Sequence, residues 1–132
     1  MNKLLNTLVA LLTFTFLFTA CSKSPDKILD RKDGKWDVLI TTVLLSPSYG
    51  EVTSQQSGTF LFEGNKYTLT LSNGQTAVGS WTADAQKVHL ITDVEVVAFD
   101  VIKSKRKEQE WHTTGTFQNR DTKYEVTYKL KR

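Results

Sequence analysis

The sequence predicts an all-β fold: an eight-stranded antiparallel up-and-down β-barrel preceded by a short N-terminal helical turn. Three observations lead there. From Trp36 onward the chain is cut into short runs rich in Val, Thr, Leu and aromatic residues. These runs are separated by turn signals at Gly64-Asn65, Ser72-Asn73-Gly74, Ala83-Asp84, Thr92-Asp93 and Asn119-Arg120-Asp121. Near the C-terminus, Tyr124, Val126, Tyr128 and Leu130 alternate with Lys123, Glu125, Thr127 and Lys129, the period of a half-buried strand. Finally, no helical period of useful length follows Gly34. Eight strands joined by mostly tight consecutive connections favour closure into a meander barrel, because closure removes the exposed edges.

The elements follow in chain order. Residues Leu4 to Ala20 are an apolar run of 17 residues behind Lys3, diluted by Asn6, Thr7, Thr13 and Thr15. A bilayer span needs about 20 residues, so the run reads as a secretory signal peptide covering residues 1–20. Its removal takes the chain from 132 to 112 residues and, since Lys3 is its only charge, the formal balance from +3 to +2. That balance excludes the strongly basic surface of a nucleic-acid-binding protein. Residues 21–33 form a tether and short helix, with Ser24 as N-cap, Pro25 at the first helical position and Gly34 as the stop. Residues 34–132 then supply strands at about 35–45, 58–63, 66–72, 76–83, 86–92, 95–103 and 109–118, and a last one from Lys123. Residues 46–57 are left as a loop.

Cys21 is the sole cysteine, so it forms no internal disulfide. A nucleophilic role would need a neighbouring base and an electropositive pocket, whereas Cys21 lies between an apolar leader and a Ser/Pro-containing tether. Ordinary signal cleavage wants a small residue three positions before the cut, where this chain has Phe18. Phe18-Thr19-Ala20-Cys21 instead resembles the lipobox of bacterial lipoproteins. The resemblance implies a thioether from Cys21 to diacylglycerol and acylation of its new amino group. With Ser22 rather than an acidic residue next, it also implies an outer-membrane location, on the periplasmic side or the cell surface.

Gly34-Lys35-Trp36, after a helical turn and opening the first strand, resembles the G-x-W motif of lipocalins. The stretch GTFLFEGNKYTLTLSNGQTAVGSWTADAQKVHL resembles the small bacterial lipocalin-like lipoproteins, and the likeness extends over about residues 32–131. The chain is shorter than a typical lipocalin and lacks the disulfides and the helix after the last strand. The resemblance implies a barrel closed at the end where the first strand begins and open at the other. It also implies that a terminal cation covers the ring of Trp36.

Tracing the alternation sends Trp36, Trp81 and Trp111 inward at the closed end, among Phe62, Tyr67, Tyr128 and Leu130, as a plug. Towards the mouth the expected lining is Leu44, Phe60, Leu71, Ala77, Gly79, Val97, Phe99, Gly115, Phe117 and Tyr124. The small residues there either leave room for a ligand or only ease bends in the strands, and an eight-stranded barrel is either filled or holds one small ligand. Lys103, Lys105, Arg106 and Lys107, with Lys129, Lys131 and Arg132, gather at the tethered end as a candidate membrane-facing basic patch. His89 and His112 fall outward with no metal-ligand spacing around them. No Ser/His/Asp arrangement, phosphate-binding loop or close acid pair is recognisable. The expectation is a non-enzymatic, lipid-anchored protein without metal or cofactor that binds a small hydrophobic molecule at the mouth. The alternative is a filled barrel acting as an interaction module, an inhibitor or envelope-complex subunit, through the 46–57 loop and Tyr49.

Overall fold

Period-two alternation becomes eight strands: β1 (Lys35–Ser46), β2 (Gly50–Glu63), β3 (Lys66–Leu71), β4 (Thr76–Ala83), β5 (Lys87–Ile91), β6 (Val96–Lys105), β7 (Glu108–Thr116) and β8 (Lys123–Lys131). This computed structural model describes residues 24–117 and 121–132. The expected leader 1–20, Cys21, Ser22 and the Asn119-Arg120 part of the last turn lie outside the described residues. Each strand runs antiparallel to the next, and β8 returns to β1 from Asp37↔Lys131 to Leu45↔Lys123, closing the barrel. This is the up-and-down barrel that the sequence predicts.

Two features differ from expectation. The stretch 46–57 is not a loop: β2 begins at Gly50, behind a tight turn in which Gly50 takes a φ of +75°. Its residues 50–56 pair with β1 alone, since Ser57 O accepts from Ser72 N at 2.9 Å and pairing with β3 starts at Gly58↔Leu71. The β2 half of this hairpin therefore overhangs β3, while its β1 half stays paired with β8 up to Leu45↔Lys123. With no core behind them, Glu51, Ser54, Gln55 and Gln56 show no apolar alternation, which is why they read as loop. The helix is the short turn expected, α1 (Pro25–Ile28), but the Ser24 hydroxyl at its N-cap contacts the Asp26 carboxylate instead of capping the backbone.

The closed end is packed solid. Trp36, Phe60, Phe62, Trp111 and Leu130 are all buried to within 1% exposure. Phe60 stacks on Phe62 at 5.0 Å and lies 6.0 Å from both Trp111 and Tyr128. Phe60, expected at the mouth, therefore belongs to the plug: the register puts it opposite Trp36, close to the start of β1. Gln109 is buried within this apolar mass because its amide is used at both ends. Its Oε1 accepts from Trp111 Nε1 at 3.1 Å, and its Nε2 donates to Ser104 Oγ at 2.8 Å. A bulge between Val101 and Lys103 turns Ser104 to meet it and leaves Ile102 exposed.

The first glycine of the G-x-W stretch has a steric reason. Gly34 sits at φ +68°, and a Cβ there would lie 2.1 Å from the carbonyl oxygen of Phe62. Two residues on, Trp36 Nε1 donates to Leu29 O at 2.9 Å, which fixes the segment carrying the buried Ile28 and Leu29 beneath the plug. Arg132 covers Trp36 from outside, its guanidinium carbon 4.2 Å from the ring centroid, as the resemblance implied. The same guanidinium donates to Arg31 O at 3.1 Å and Arg106 O at 2.9 Å, joining the N-terminal segment, the β6–β7 turn and the chain end. Arg132→Ala is expected to cost about 1–2 kcal/mol through the lost cation–π contact and charged hydrogen bonds, read as a lower urea midpoint at unchanged slope.

Candidate functional site

Above the plug the barrel is not filled. A cavity of about 360 Å³ opens towards the β3–β4, β5–β6 and β7–β8 connections. The inward rows of five strands supply its walls: Leu69 from β3, Ala77 from β4, Leu90 from β5, Val97 and Phe99 from β6, and Tyr124 and Val126 from β8. Tyr67 and Tyr128, assigned to the plug from sequence, reach up to form its lower rim. Its polar groups are Thr92, Thr113, the tyrosine hydroxyls and one carboxylate, Glu95.

Glu95 is placed by the β5–β6 turn. Thr92 N donates to Glu95 O at 2.9 Å, and Glu95 N donates back to Thr92 Oγ1 at 3.2 Å, which fixes the backbone just before β6. Glu95 then continues the inward row of Val97 and Phe99. Its charge is felt inside. Burial pushes the Tyr128 hydroxyl up to about 12, with Tyr67 and the Glu95 carboxylate adding to the effect. Burial and then Glu95 likewise raise the Tyr67 pKa. Both phenols are therefore neutral at physiological pH. Neither of their shifts has a cation among its causes.

The expected ligand residues separate into groups. Ala77, Val97, Phe99 and Tyr124 line the cavity, and Leu71 with Ala77 borders a shallow depression at its rim. Leu44 and Phe117 lie instead on a wider open groove of about 660 Å³ between the β1–β2 hairpin tip and the β7–β8 connection, with Tyr49 and Val52. Gly79 and Gly115 provide no empty space. A Cβ at Gly79 would lie 2.2 Å from the carbonyl oxygen of Ile91 and 2.9 Å from the Tyr67 ring, and one at Gly115 would meet the Tyr124 hydroxyl at 2.2 Å. Each glycine faces a tyrosine across the ladder and lets that ring lie flat over the strand. Glu95 was missed, although counting back by two from Val97 finds it.

The basic patch is unevenly engaged. Lys103 pairs with Glu108 at 3.8 Å, Lys129 pairs with Glu110 at 3.6 Å, and Arg132 is held on Trp36. Lys105, Arg106, Lys107 and Lys131 have no ion-pair partner among the described residues. His89 and His112 sit on β5 and β7, outward and separated by β6. Among the described residues, no three His, Cys, Asp or Glu side chains converge as a metal site, and no helix is long and apolar enough to cross a membrane. A scan of this chain against models of known protein families finds no match, and a search of curated proteins finds none either.

Proposed function

We propose that this protein is a lipid-anchored, lipocalin-like lipoprotein of the outer membrane whose barrel binds a small, largely apolar molecule at the mouth, opposite the anchor. The observation that carries the reading is the cavity above the plug, walled by apolar residues of five strands. The tether enters at the plugged end, beside Lys105, Arg106, Lys107 and Lys131. Each such cation near an anionic bilayer surface contributes about 1 kcal/mol. This arrangement turns the mouth away from the membrane.

The test is Ala77→Leu, because Ala77 borders the cavity and its backbone has no left-handed conformation to lose. A neutral naphthalene probe titrated into the full-length protein in lipid nanodiscs is expected to bind the wild type with one-to-one stoichiometry. Ala77→Leu is expected to weaken it by about tenfold.

The second reading, an interaction module, draws on the outer groove, where Tyr49 is 86% exposed and Val52 and Phe117 are half exposed. Absence of probe binding by the wild type, with Ala77→Leu destabilised by about 1–3 kcal/mol from overpacking, would favour it.

A further inference from the structure

We infer that the mouth cavity selects cationic ligands: an amine or quaternary ammonium group on a small apolar body, with the ammonium held between the Glu95 carboxylate and the faces of the cavity tyrosines. The inference rests on the ligand-binding reading above and names the ligand's charge.

Charge and geometry carry it together. Glu95 is the sole charged residue lining the cavity, and among the described residues its carboxylate has no ion-pair or hydrogen-bond partner. Tyr67, Tyr124 and Tyr128 share the same space, and a neutral phenol ring presents a negative π face to a cation. Two of these phenols resist ionisation through burial and the Glu95 field, so the rings keep that character at physiological pH. Leu69, Leu90, Val97 and Phe99 then take the apolar body. Other charges at this end have mostly the same sign: Glu51, Asp93, Asp121 and Glu125 against Lys123 among the described residues. The tethered end carries the unpaired lysines and arginine. The resulting field draws cations towards the mouth and opposes anions. A fatty-acid carboxylate would bring a second negative charge into a cavity where Glu95 has no counter-ion.

The experiment uses three water-soluble probes of one shape: benzyltrimethylammonium, benzyl alcohol and phenylacetate. Each is titrated calorimetrically into the full-length protein in zwitterionic nanodiscs, with empty nanodiscs as blank. The expected order places the ammonium about tenfold tighter than the alcohol and the carboxylate weakest. In Glu95→Gln the ammonium-to-alcohol ratio should fall to within about twofold of unity. Asp93→Asn, in the same turn but outside the cavity lining, should keep the wild-type ratio and shows whether surface charge alone is responsible. An ammonium no tighter than the carboxylate, or a ratio unmoved by Glu95→Gln, overturns the inference while the cavity still binds the alcohol. Failure of all three probes to bind overturns the inference and the ligand-binding reading with it.

Discussion

Trp111→Ala is expected to remove about 3–5 kcal/mol of stability, a large part of the 5–15 kcal/mol typical of a natural domain. The indole is fully buried, with ring centroids of Phe60, Phe99, Phe62 and Tyr128 all 6.0–6.3 Å away. No single neighbour can collapse into the space it would leave, because those rings are held by three different strands, β2, β6 and β8. Truncation also strips Gln109 Oε1 of its buried donor. Trp111→Phe keeps most of the packing and loses the hydrogen bond, so its expected cost is smaller, about 1–3 kcal/mol. Urea unfolding followed by far-UV circular dichroism ranks the two. Midpoints for both variants within error of the wild type would mean that the plug is not what holds the barrel closed.

Cys21→Ala is expected to move the protein from the membrane fraction to the soluble fraction while the barrel stays folded. Acyl chains contribute about 0.8 kcal/mol per buried CH₂, and a single chain anchors only marginally, so stable retention needs the several chains that the lipobox resemblance implies. The described core begins at Pro25, four residues after Cys21. Carbonate-washed membranes and labelled palmitate read the two halves of the expectation separately. A Cys21→Ala protein still in washed membranes, with no label in the wild type, would show that the leader and not an acyl anchor retains it.

The barrel was legible because its strands sit over a core and alternate with it. The tryptophan plug follows from the inward rows of β1, β4 and β7, and the two ends follow from counting turns. What escaped the sequence depended on register. Phe60 looked like mouth lining until the ladder put it opposite Trp36. Gly79 and Gly115 fitted either room for a ligand or an eased strand until the ladder set them opposite Tyr67 and Tyr124, whose rings lie against them. Gln109 shares the inward row of Trp111, and only the bulge at Ile102 brings Ser104 round to satisfy it. Glu95 was hidden for a different reason. It opens the strand expected at 95–103, yet the expected lining starts at Val97, although the inward row already runs through Glu95.

The overhang of β2 changes how the barrel meets other copies of itself. The edge that β2 carries beyond β3 stays open, and there residues 50–56 have ladder partners on one side only. A free edge of that length is a template for edge-to-edge pairing, and its hazard grows with apolar, uncharged sequence. Here it reads GEVTSQQ, with a glycine at its start, one carboxylate and a single aliphatic side chain. The polarity that concealed this strand from a pattern search also makes it a poor seed for intermolecular sheets. An apolar replacement on this stretch would be felt as aggregation rather than as lost stability.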